Sequence, residues 1–98
     1  MIKPGSRDRK ASILITGMEL DELQRFIGMM AESFGLDRRI YNYQGVRPIG
    51  LYRWDIECLV DVINSVIDDP EYYPTQDSPE HQAIKKLRDR LQVEENAL

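Results

Sequence analysis

Between Leu51 and Ile67 the residues Ile56, Leu59, Val60, Ile63, Val66 and Ile67 are apolar and follow one another at steps of one and three. At about 100° per residue that spacing gathers them on roughly a third of a helix circumference, whereas a strand would scatter them over two faces. Two more arcs repeat the pattern. Leu20, Leu23, Phe26, Ile27, Met30 and Phe34 fall on one side of a helix over 18–34, and Ala83, Ile84, Leu87 and Leu91 on one side of a helix over 79–93. Each stripe must be covered by another element, so three such helices predict one small, mainly α domain. The β-favouring run Ala11 to Thr16, ASILIT, adds a short N-terminal strand.

Local signals set the boundaries. Thr16-Gly17-Met18-Glu19 has the Thr-x-x-Glu spacing of a reciprocal helix cap, and Gly35 suits a left-handed C-cap. Asp68-Asp69-Pro70 stops the second long helix, and Ser78-Pro79 opens the third with a capping hydroxyl followed by proline at the first helical position. Between them, Leu36, Ile40 and Tyr43 keep a helical rhythm that predicts a short helix, with a hairpin around 38–51 as the alternative α+β reading. Pro48 and Gly50 predict irregular backbone from Gly45 to Leu51. The strand ILIT then has no clear mate within the chain, which points to pairing across a homodimer. The expected organisation is a flexible basic tail over 1–10, a single globular domain over 11–94 and a frayed C-terminus over 95–98.

Composition removes several classes of function. With 98 residues, 42% of them hydrophobic, the chain can build one modest core. The single cysteine, Cys58, forms no internal disulfide, and no run approaches the roughly 20 apolar residues of a membrane span, so a cytoplasmic protein without a membrane role is expected. His81 is the only histidine. With Cys58 it cannot complete a zinc set, and the acids Asp68, Asp69, Glu71 and Asp77 lack the alternating spacing of a calcium loop. His81, in the first turn of an amphipathic helix, is expected to be solvated rather than to serve as a catalytic base. The isolated glycines make no phosphate loop. The expectation is a non-enzymatic protein with no catalytic residue, metal or cofactor.

What remains informative is the distribution of charge and aromatics. Residues 38–54, RRIYNYQGVRPIGLYRW, hold four arginines, half of the chain's aromatic residues and no acid, in a chain of net charge -4. Arginine, tyrosine and tryptophan are enriched at binding hot spots because they combine a large flat contact with a polar handle. The candidate partner-binding residues are therefore Arg38, Arg39, Tyr41, Tyr43, Arg47, Tyr52 and Arg53, with Trp54 as half-buried support; the bland alternative is that the aromatics fill the core. From Trp54 to Tyr73 there are six acids and no cation, and Glu57, Asp61, Asn64 and Asp68 share one helical stripe about 60° wide. Lys85, Lys86, Arg88, Arg90 or the arginines of 38–54 could neutralise it, or Glu57, Asp61 and Asp68 could form an acidic docking or nucleic-acid-mimicking surface. On the first helix Asp21 and Arg25 are spaced for an ion pair. The leading expectation is a small protein–protein interaction or regulatory module; the second is a nucleic-acid-binding accessory protein that adds Lys3, Arg7, Arg9 and Lys10 to the 38–54 surface.

Overall fold

The computed structural model describes residues 10–26 and 35–97, which form β1 (Lys10–Ile13), α1 (Gly17–Arg25), α2 (Leu36–Asn42), β2 (Ile49–Tyr52), α3 (Arg53–Val66) and α4 (Pro79–Ala97). The domain is mainly α with a short two-stranded sheet, as the apolar arcs require. On α3, Ile56, Leu59, Val60, Ile63 and Val66 are all buried, and α4 contributes Ile84, Leu87 and Leu91 to the same core. Full burial of one such side chain stabilises by roughly 1.5–3 kcal/mol relative to exposure, so the facing stripes of α3 and α4 dominate the fold. Leu20 and Leu23 of α1, and Leu36 and Ile40 of α2, close the core from the other side.

Three expectations need correction here. The segment Gly45 to Leu51 is not irregular throughout, because Ile49–Tyr52 forms β2 and pairs antiparallel with β1 in the register Lys10↔Tyr52, Ala11↔Leu51, Ser12↔Gly50 and Ile13↔Ile49. The N-terminal strand therefore finds a mate within its own chain. Ala11, Ile13, Ile49 and Leu51 face the core, while Lys10, Ser12, Gly50 and Tyr52 make the outer face. Lys10, expected in the basic tail, is the first residue of β1; residues 1–9, with Lys3, Arg7 and Arg9, lie outside the described residues. Finally, α4 runs to Ala97, four residues past the end expected for the helix over 79–93.

The first helix is shorter than its periodicity suggests. It ends at Arg25, with Phe26 as its C-cap, and Ile27, Met30 and Phe34 lie outside the described residues. Gly35 has φ 86°, the left-handed geometry expected of it, but it precedes α2 rather than following α1 as an adjacent cap. Thr16 is the N-cap residue without a side-chain cap bond. Glu19 is instead drawn to Arg90 of α4, a charged partner that outcompetes a backbone amide. Arg25 likewise pairs with Glu22 at 2.9 Å rather than with Asp21. The predicted short helix 36–43 is present as α2, and its C-terminal carbonyls are held by Gln24 Nε2, which donates to Ile40 O at 3.1 Å and Tyr43 O at 2.9 Å.

The loop between α3 and α4 is packed by two buried polar contacts. His81, expected on the surface, is 4% exposed. Its Nδ1 accepts the Asp77 N–H at 3.3 Å, which leaves Nε2 to donate to the Ile67 carbonyl at 3.0 Å, so one ring ties both ends of the loop to the first turn of α4. Ser78 Oγ caps that turn by accepting from His81 N at 3.1 Å, as the Ser-Pro signal predicts. The Tyr73 hydroxyl donates to Glu22 Oε1 at 2.8 Å, joining the loop to α1. Burial, then the adjacent Glu22 carboxylate, raises the Tyr73 pKa above its ordinary value. The fold thus prefers the protonated phenol. Its contribution is complete below the ordinary tyrosine pKa of about 10 and is lost as pH climbs past that value toward the higher folded one. Urea-unfolding midpoints followed upward from neutral pH should fall beyond pH about 10, and in Tyr73→Phe this alkaline slope should flatten. An unchanged slope in the variant would assign the alkaline sensitivity to other groups.

Candidate interaction surface

The surface that the 38–54 segment builds depends on the junction between β2 and α3. Tyr52 is the N-cap residue of α3, and Asp55, in its first turn, accepts the Tyr52 N–H at 2.9 Å. Asp55 is only 3% exposed, and a carboxylate so buried needs a cation. Arg39 of α2 supplies it at 3.3 Å and also donates to the Gly50 carbonyl. One ion pair therefore satisfies the outer edge of β2, closes the N-terminus of α3 and fixes α2 beside both. Arg39, a candidate contact residue from sequence, serves this structural role.

Tyr43 has a similar fate. Its hydroxyl donates to the Arg47 carbonyl and accepts the Ile15 N–H at 3.4 Å, so the ring plugs the gap between β1 and the 44–48 turn. Gly45 allows this close turn: at φ 71° an added Cβ would lie 2.9 Å from the Ile15 carbonyl oxygen. Tyr43 is partly buried and packs against the core.

Around Tyr52 the outcome differs. Tyr52 and Trp54 stack with centroids 5.0 Å apart and planes at 16°, and both remain partly exposed. Lys10, opposite Tyr52 in the β1–β2 register, places Nζ 5.3 Å from the Tyr52 ring centroid. Gly50 makes that reach possible, since a Cβ there would stand 3.1 Å from Lys10 Cδ. Arg53 is exposed beside the stack and pairs with Glu57 at 3.6 Å. Lys10, Tyr52, Arg53 and Trp54, with Arg39 behind them, therefore form one continuous basic and aromatic patch. Arg38 is exposed on α2 one residue from the clamp and has no ion pair among the described residues. Tyr41, 70% exposed, projects from a different side of α2, about 160° around the helix from Arg39. Arg47 lies beyond the Ile49 end of β2, with about 10 Å of strand between Ile49 and Tyr52. The seven candidates are thus divided among a patch (Tyr52, Arg53), a clamp (Arg39), a partly buried plug (Tyr43) and three exposed residues outside the patch (Arg38, Tyr41, Arg47). Lys10 was assigned to the tail, because only the strand register reveals that it sits over Tyr52.

The acidic stripe is exposed, as its helical spacing predicts, but its partners differ from those expected. Glu57 is paired by Arg53 of its own helix, and Arg88 reaches Asn64 Oδ1 at 3.4 Å. Arg90 is engaged by Glu19, and Asp61 and Asp68 have no ion pair among the described residues. Cys58, half-buried nearby, has its thiol pKa raised by burial and then by Asp55, Asp61 and Glu57. It stays protonated at neutral pH and is a poor nucleophile. No group of three or more His, Cys, Asp or Glu side chains is placed to hold a metal among the described residues.

In comparisons with known proteins, the chain matches no family model, no curated protein and no solved structure. The Arg39–Asp55 clamp makes a clear prediction of its own. Asp55→Ala strands a strand amide and a guanidinium, and should lower stability by about 2–3 kcal/mol. Arg38→Ala, one residue along the same helix, should change it by less than about 0.5 kcal/mol. Urea denaturation of the two variants beside the parent checks the contrast, and equal losses would mean that the clamp carries no special load.

Proposed function

We propose that this chain is a non-enzymatic interaction module that docks an acidic segment of a partner protein on the patch formed by Lys10, Tyr52, Arg53 and Trp54. The observation that carries this reading is the Tyr52–Trp54 stack, two large rings left partly exposed although a small domain gains by burying them. Lys10 and Arg53 flank the rings, and the acids nearest the stack, Asp55 and Glu57, are each paired with an arginine, which leaves Lys10 as the charge without an ion pair among the described residues and favours an anionic partner. Aromatic pairs held in one orientation offer contact area at low entropic cost, the property of a hot spot. A role in the cytoplasm, regulating the docked partner, belongs to the same reading, with the lone thiol of Cys58 as its support.

Stacked rings beside cations also suit unpaired bases, and the experiment distinguishes the two partners. Wild type and Lys10→Glu/Arg53→Glu, both of which keep the Arg39–Asp55 clamp, are immobilised and exposed to lysate of the source cell. Retained protein and retained nucleic acid are scored together. One dominant protein captured by wild type and lost from the variant supports the reading. Nuclease-sensitive material lost from the variant, with a steep decline between low and physiological salt, replaces it with nucleic-acid binding. Identical retention by both chains removes the patch as the site.

A further inference from the structure

The two edges of the small sheet are treated differently. Gly50 C=O is held by Arg39 and Tyr52 N–H by Asp55, so both residues turn their peptide groups away from β1. In an antiparallel pair, a residue facing away from its opposite number has an opposite number that also faces away. Ser12, opposite Gly50, therefore directs its N–H and C=O to the outer edge of β1. Leu14 continues the same alternation, and Arg90 Nη2 of α4 donates to its carbonyl at 2.6 Å. Among the described residues that is the one bond closing this edge, against two on the edge of β2. Alongside it runs a groove of about 350 Å³ whose walls include Ser12, Leu14, Lys86, Arg90, Val93 and Glu94. Leu14 is 42% and Val93 66% exposed, so the floor is apolar where the strand edge is open.

We infer that the outer edge of β1 and the adjoining face of α4 pair with a second copy of this chain, β1 against β1 antiparallel, giving a four-stranded sheet across a two-fold axis. The charges on the groove favour a second copy over a foreign strand. Lys86 and Glu94 have no ion pair among the described residues, and eight residues of helix, about 12 Å, keep them from pairing with each other. They lie at equal distances on either side of Arg90. A two-fold axis near Arg90 therefore brings Lys86 of each copy to Glu94 of the other, so that one operation creates two ion pairs. On the strand, Lys10 and Leu14 lie equally far from Ser12, about 7 Å each way, close to the roughly 6 Å from Arg90 to Lys86 or Glu94. A single axis can serve both elements, which is the self-complementarity that an isologous interface requires. The apolar contact is Leu14 and Val93 of both copies. This surface meets the Tyr52–Trp54 patch only at Lys10, and none of the variants that test it alters a residue of the patch.

Sedimentation equilibrium on the full chain, from low micromolar to near-millimolar protein, tests the inference with three variants. Wild type is expected to dimerise. Ser12→Pro removes a strand-edge donor that makes no bond within the chain, and should leave a folded monomer by circular dichroism. Lys86→Glu should weaken the dimer by about tenfold or more by setting like charges across the axis, and Lys86→Glu/Glu94→Lys should restore it. A wild type that stays monomeric throughout the range overturns the inference. So does a dimer insensitive to Ser12→Pro and Lys86→Glu, which would place the contact elsewhere, or a double variant no tighter than Lys86→Glu alone.

Discussion

The apolar stripe of α3 is the constraint around which the other elements are arranged. Ile56, Leu59, Ile63 and Val66 are wholly buried, and a helix packed along one side cannot by itself enclose the whole width of that stripe. α4 covers the stripe along one side, with Leu87 and Leu91 beyond Ile84. The buried side of the sheet, Ala11, Ile13, Ile49 and Leu51, meets the N-terminal end. A two-stranded sheet is marginal by itself in water, so β1 and β2 exist because they roof this end of α3. α1 and α2 then enclose what remains, joined to each other through Gln24 and to the rest through Arg90 and Arg39.

That enclosure makes buried charge unavoidable at the start of α3, where the chain changes from strand to helix within two residues. Asp55 accepts the otherwise unsatisfied amide of Tyr52, and the same carboxylate then requires Arg39. Such a pair, half in water on the arginine side, owes its value less to net attraction than to the cost of leaving either partner alone. It selects one arrangement of α2, β2 and α3. A consequence for the proposed docking is that Tyr52 and Trp54, adjacent to the clamp, are held in a stack at the surface. Preorganised rings lose little freedom on binding.

The polar contacts in the rest of the domain follow the same economy of short-range partners. Glu22 takes both Arg25 and the Tyr73 hydroxyl, and His81 spans Ile67 and Asp77 with its two ring nitrogens. Each joins segments far apart in sequence: Glu22 and Tyr73 are separated by 51 positions. None of these side chains stands in an apolar pattern, and each was expected at the surface or left unassigned. Their burial follows from where the loop between α3 and α4 lands.

The apolar spacing of Ile56 to Ile67 and of Ile84 to Leu91 was sufficient to establish the helices and the mainly α class, because period and burial are tied by the 3.6-residue turn. Ser78-Pro79 opened α4 for the equally local reason that a capping hydroxyl reaches an amide three residues on. The candidate surface was legible only as a composition. Which arginine became a clamp, which tyrosine a plug and which pair a stack depended on contacts between segments that no periodicity encodes. β2 was missed because four residues, one of them glycine, carry too little local preference to form a strand until β1 and α3 are beside them. Where the long helices start, stop and turn their apolar faces is legible from the residues alone, since those are interactions among neighbours. Which charges are buried, which strand edge stays open and where Lys10 meets Tyr52 depend instead on distances closed by the whole chain, which no local pattern encodes.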